Sequence, residues 1–225
     1  MSSNGSESRK ESVADTLGHI GEEIANAVTH GLGFLLSIAG LVVIVTYAAL
    51  RGTVWTVVSC SIYGGTLVLL YLSSTLYHAI PGPKTKRIFR IFDHSAIYLL
   101  IAGSYTPFIL VRMRTPGGIV LLSVVWALSI GGIVFKSFKV DGWGIVSTVL
   151  YALIGWAAVF AVGPMVHALG WVGMRWIIAG GVFYTAGIVF YAIEKKYFHA
   201  IWHVFVLGGS ITHYFAILFF VVLAK

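Results

Sequence analysis

The sequence predicts an all-α integral membrane protein: a seven-transmembrane helix bundle with its N-terminus cytoplasmic and its C-terminus outside. Three observations lead there. The 225-residue chain is 58% hydrophobic and only 10% charged, against about 25% charged residues in a soluble domain. Its mean hydropathy is +0.92. Seven apolar runs each approach the ~20 residues that a helix needs to cross a bilayer.

Residues 1–20 are polar and read as a disordered cytoplasmic tail, leaving residues 21–225 as the seven-helix transmembrane domain. The tail is no signal peptide, because no short apolar core with a cleavage site follows its charges. Gly21 to Gly31 reads as a short helix feeding the first span, with Glu22, Asn26 and His30 on one side of it at i, i+4 spacing. The spans cover residues 28–50, 54–78, 91–111, 118–135, 144–162, 171–192 and 200–224. Short linkers make neighbouring helices antiparallel in a single bundle, with no room for a second domain. Pro107 lies within the third span, where it is expected to kink the helix and free carbonyls, with Ser104 or Thr106 compensating. The pairs Gly64-Gly65, Gly131-Gly132, Gly180-Gly181 and Gly208-Gly209 suit close helix approach. Trp55, Trp143, Trp171 and Tyr197 suit interfacial belts.

Orientation follows from Lys and Arg, which concentrate on the cytoplasmic side. Ten of the 15 basic residues fall on one side: Arg9, Lys10, Lys84, Lys86, Arg87, Arg90, Lys136, Lys139, Lys195 and Lys196. Arg51, Arg112, Arg114, Arg175 and Lys225 fall on the other. The net charge of +7 is scattered between apolar runs, so no nucleic-acid partner is expected. Oligomeric state is left open.

That orientation brings the chemistry-bearing residues to one depth. His78 ends the second span, Asp93 opens the third, and His199 and His203 head the seventh, all at the cytoplasmic face. His199 and His203 are one helical turn apart on the same face. The single cysteine, Cys60, excludes an internal disulfide and a thiolate cluster, so a metal site here has to use His and carboxylate. Three imidazoles with an open fourth position match a catalytic zinc site. Ser74, four residues before His78, shares its helix face and can hydrogen-bond a water, a substrate carbonyl or Asp93.

Each residue also has a structural alternative. Paired interfacial histidines can hydrogen-bond headgroups, Asp93 can answer a helix N-terminus or pair with Arg90, and Ser74 can bond to its own backbone. Convergence at one depth favours the metal. Imidazole with one carboxylate also suits divalent metals other than zinc. His213 is ten residues past His203, about 15 Å along the axis, and is expected to hydrogen-bond inside the bundle. His94 points about 100° away from Asp93. His30 either lines the site cavity with Glu22 and Asn26 or makes a polar interhelical contact. His19 and His167 read as exposed or loop residues.

Taken together, these motifs resemble the hemolysin III family, the bacterial branch of the progestin and adipoQ receptor superfamily. The resemblance rests on Ser74-x-x-x-His78, Phe92-Asp93-His94-Ser95, Ala102-Gly103-Ser104-Tyr105-Thr106-Pro107 and His199-x-x-x-His203. Val206-Leu207-Gly208-Gly209-Ser210 with His213, and Glu22-Glu23-x-Ala25-Asn26-x-x-Thr29-His30-Gly31, extend it over nearly the whole chain after residue 20. It implies seven spans in a bacterial inner membrane. It also implies zinc held by His78, His199 and His203, Asp93 reaching the metal through a water, and Ser74 beside it. A lipid cavity and hydrolysis of ceramide-type amides are implied from the adiponectin-receptor branch, with a membrane lipid as substrate or ligand. The chain lacks the longer cytoplasmic region of the animal receptors, so a hormone-receptor role is not expected. Three functions compete: a zinc-dependent intramembrane hydrolase of a lipid amide or ester, with Asp93 and Ser74 catalytic; a non-enzymatic regulator of membrane homeostasis with a structural zinc; and a pore. The pore ranks last, since no continuous line of charged residues crosses the spans.

Overall fold

The computed structural model describes residues 3–138 and 144–224, with the side chains of residues 3–16 and 145 outside that description. Lys139 and Lys225, which enter the charge asymmetry, and Trp143, expected at an interface, lie outside the described residues, as do the side chains of Arg9 and Lys10. Within them the chain is all helix: α1 (Ser3–Arg51), α2 (Val54–Ala79), α3 (Pro83–Pro107), α4 (Pro116–Phe138), α5 (Gly144–Gly155), α6 (Val162–Ala192) and α7 (Phe198–Ile217). Six stretches are long and apolar enough to cross a membrane: Leu17–Arg51, Val54–Ala79, Pro83–Arg112, Pro116–Phe138, Val146–Ala192 and Phe198–Val222. The protein is an integral membrane protein.

Consecutive helices pack side by side: α1 on α2, α2 on α3, α3 on α4, and α6 on α7. A further contact between α7 and α1 brings the two ends of the chain together. Large apolar side chains such as Leu35, Val42, Val124, Leu128 and Val182 point outward, as lipid-facing positions require. Buried tyrosines sit in the middle. Tyr71 on α2 and Tyr184 on α6 both meet the Ser210 hydroxyl on α7, at 2.8 and 3.0 Å, tying three helices through one oxygen. In a hydrocarbon surrounding such polar groups have to find partners inside the protein.

Two local expectations change. Residues 3–20, expected as a disordered tail, continue α1 as helix. They contain no proline, and each residue added to an already formed helix gains a hydrogen bond without a new nucleation cost. α3 begins at Pro83, eight residues before the apolar run, because Pro83 occupies the first helical position, where its missing N–H costs nothing. Asp93 therefore lies about 15 Å from the helix start at 1.5 Å per residue. The macrodipole falls off within the first turn, so a role for Asp93 at the helix N-terminus is excluded.

The helical interruptions have identifiable partners. Pro107 ends α3, and Phe108–Arg112 follows as a wide π-helical turn. Thr106 Oγ1 donates to Ala102 O at 2.8 Å and Ser104 Oγ to Ile101 O at 2.8 Å, so both expected compensators bond back to the backbone. After α5 the chain tightens into a 3-10 segment, Trp156–Ala161. There the buried Tyr105 hydroxyl donates to Gly155 O at 2.7 Å and accepts from Ala158 N at 2.8 Å. Within α6 the helix breaks at Gly170, whose φ of 70° is open to glycine at no steric cost. Arg112 Nη2 donates to Ala168 O at 3.1 Å beside that break.

Candidate metal centre and lipid cavity

Three imidazoles meet between α2 and α7. His78 stands at the end of α2, and His199 and His203 occupy the first turns of α7. One ligand atom from each lies within 4.8 Å of the other two. All three Nε2 atoms are buried and without a hydrogen-bond partner. Buried polar atoms are ordinarily paired, and three imidazole lone pairs turned toward one another form a donor set for a divalent metal ion.

For His78 and His203 the other ring nitrogen, Nδ1, has a partner, which leaves Nε2 for the cluster. His78 Nδ1 lies 3.0 Å from Glu23 Oε2 on α1, and that carboxylate also holds Lys86 Nζ at 2.8 Å. A carboxylate only accepts, so Nδ1 carries the proton and Nε2 keeps its lone pair. His203 Nδ1 lies 3.2 Å from Thr29 Oγ1. Thr29 turns its own hydroxyl proton to the Ala25 and Asn26 carbonyls, both at 2.9 Å, so here too the imidazole donates through Nδ1. Metal-binding histidines characteristically donate their second nitrogen in this way. Glu23 and Thr29 were not assigned a role from sequence. The signal was present, since Glu23, Asn26 and His30 follow i, i+3, i+7 spacing, which keeps to one helix face better than the series from Glu22.

Asp93 is 4% exposed and does not join the cluster of ligand atoms. Ser74, fully buried, lies beside it. Glu22 accepts from the Tyr197 backbone N–H at 2.6 Å and lines a second, more polar cavity together with His199. It steadies the left-handed residue (φ 64°) that starts α7. Asn26 and His30 are buried, and His30 lies flat on His203, ring centroids 3.5 Å apart. His213 Nε2 donates to Ile177 O at 3.1 Å, the expected bundle-interior bond. Gly180 leaves room for that ring, since a side chain there would collide with it.

A cavity of ≈ 390 Å³ lies near the cluster, walled mainly by α3, α5, α6 and α7 with His30 of α1 and Leu70 of α2, and lined almost entirely by apolar groups. His30 and Asp93 stand in its wall, and it follows α3 from Asp93 to Phe108. Fifteen residues of helix correspond to about 22 Å. His94 also lines it. The volume falls in the range of small-molecule sites, about 300–1,000 Å³.

Fold and site thus define a helical membrane protein with a three-histidine cluster near an apolar cavity. The sequence profile described as "Haemolysin-III related" matches residues 19–214, and the chain belongs to that family. It is 49% identical over 201 residues to "Hemolysin-3" of Bacillus cereus, covering 89% of this chain and 92% of that protein. It is 50% identical over 204 residues to "Hemolysin-3 homolog" of Bacillus subtilis (strain 168), covering 90% and 96%. A more distant likeness, 27% over 203 residues, covers 87% of this chain and 83% of the human "Monocyte to macrophage differentiation factor". It places the chain in the progestin and adipoQ receptor superfamily, as the motifs implied. No solved structure matches.

Proposed function

We propose that this protein is a zinc-dependent hydrolase of a membrane lipid amide or ester. The observation that carries this reading is the convergence of three buried, unpartnered Nε2 atoms beside an apolar cavity whose wall contains Asp93. Bound zinc would polarise the scissile carbonyl and acidify a water at its open position. His78, held by Glu23, and His203, held by Thr29, fix the ligand geometry. Asp93, outside ligand distance of the cluster, takes the proton from the attacking water. The Ser74 hydroxyl donates to the carbonyl oxygen as charge develops there. The lipid chain lies along α3 in the cavity with its polar group at the histidines.

The reading includes seven crossings, a cytoplasmic N-terminus and a metal site near the cytoplasmic face of the bacterial inner membrane. The 47-residue stretch Val146–Ala192 supports the count. As helix it would run about 70 Å, more than twice the ~30 Å hydrocarbon core, and it breaks at Gly170.

The test is purified protein, assayed for zinc content and for turnover of a panel of lipid amides and esters. Stoichiometric zinc with hydrolysis that vanishes in His203→Ala is expected. Stoichiometric zinc with no turnover of any panel member would sink the hydrolase. A second reading has its own support: all three ligands come from two helices, so the metal also fastens α2 to α7. Zinc would then be structural in a non-enzymatic membrane regulator, and Asp93→Asn would leave function intact.

A further inference from the structure

His30 is the buried side chain that the cluster's geometry leaves unexplained. It is 2% exposed, yet neither ring nitrogen has a hydrogen-bond partner. An imidazole carries one N–H and one lone pair, and leaving both unmade in a buried site is costly. The ring is held firmly. Its plane lies 15° from parallel to His203 at 3.5 Å, and Tyr71 meets it edge-on at 5.0 Å, itself fixed by its bond to Ser210. The hydrogen-bonding edge of His30 therefore runs in a plane one ring thickness from the plane carrying the His203 Nε2 lone pair. The same side chain stands in the wall of the apolar cavity. One turn earlier on the same face of α1, Asn26 Oδ1 is also buried without a partner. None of these three atoms belongs to the metal-ligand set.

We infer that His30, with Asn26 beside it, forms a hydrogen-bonding subsite for the polar group of the cavity's lipid. The group it takes carries both a donor and an acceptor, so it is a hydroxyl or an amide rather than a bare ester. The inference rests on the lipid reading of the cavity and adds a selectivity to it. His30 supplies a donor and an acceptor from a fixed ring, and Asn26 supplies a further acceptor. A lipid offering acceptor oxygens alone satisfies the donor and leaves the lone pairs stranded.

The experiment uses the full-length, zinc-loaded protein in nanodiscs. Two probes of equal chain length are compared: N-hexadecanoylethanolamine, with an amide N–H and a hydroxyl, and methyl hexadecanoate, with acceptor oxygens alone. Binding is read from the fluorescence of the tryptophans in the cavity wall, Trp156, Trp171 and Trp202, and zinc is measured alongside. The wild type should bind the amide about tenfold or more tighter. His30→Phe keeps a flat ring against His203 without polar atoms, and should hold zinc while losing that preference. Asn26→Leu should weaken the amide severalfold and the ester little. If His30→Phe holds zinc and keeps the amide preference, the subsite is wrong and His30 merely supports His203. If both variants lose zinc, the pair is scaffold for the metal and the inference fails. If the wild type binds both probes equally, the selectivity is wrong while the lipid cavity stands. If it binds neither, the lipid reading and the subsite fall together.

Discussion

Glu23 Oε2 on α1 lies 3.0 Å from Nδ1 of His78 on α2, so a carboxylate from a third helix orients a ligand of the candidate metal centre. Losing a partner of this kind typically costs 10–100-fold in metal affinity. Glu23→Gln is therefore expected to weaken zinc binding by about that factor while the helical content stays unchanged. Titration against a competing chelator, with circular dichroism alongside, checks it. Unchanged affinity would mean that His78 orients without Glu23.

Thr29 makes the matching contact with His203 Nδ1 at 3.2 Å. Thr29→Val keeps the shape and removes the acceptor. A neutral hydrogen bond contributes about 0.5–1.5 kcal/mol, so zinc should bind roughly 2- to 12-fold more weakly, a smaller effect than at Glu23. The same competition titration decides the order.

Metal removal should loosen the α2–α7 contact. A ligand bound only to the folded state stabilises it by about 4 kcal/mol at a thousand times its Kd. Chelation is expected to lower the thermal midpoint in detergent, and added zinc to restore it. His203→Ala should start at the lowered midpoint and show no response to zinc, which scanning fluorimetry would register.

Asp93 lines the cavity but lies outside the ligand cluster. Asp93→Asn should hold zinc at wild-type stoichiometry and lose about 10²–10⁴-fold in turnover, the usual contribution of a proton-transfer group. Metal analysis and a turnover assay on one preparation separate this from the structural-zinc reading, in which function survives.

Topology is accessible through the only cysteine, Cys60, which is buried. In Cys60→Ser, a cysteine placed at Lys84 should be shielded from a membrane-impermeant maleimide in intact cells, and one placed at Arg114 should be labelled. The reverse pattern would invert the orientation.

How much of this was legible in the chain depends on what kind of information each feature needs. The helices and their membrane character are one-dimensional properties. Runs of about 20 apolar residues exclude other folds, and the i, i+4 spacing of His199 and His203 places both on one face before anything packs. The charge asymmetry led to the expectation that His78 shares one membrane side with His199 and His203, and the structure brings these three side chains together. The starts of α1 and α3 were not legible from hydropathy. Both extend through polar residues, where backbone hydrogen bonding rather than apolar content keeps the helix going.

The tertiary structure alone decided the partners across helices. Glu22 and Glu23 are adjacent acids with similar surroundings in sequence. The 100° turn between them sends one to the Tyr197 amide and the other to His78. The flat contact of His30 on His203 joins residues 173 positions apart in the chain. The sequence alone determined which groups enter the membrane together. Packing decided that Nδ1 of His78 and of His203 is occupied, by Glu23 and Thr29, and that one ligand atom from each of the three imidazoles lies within 4.8 Å of the others.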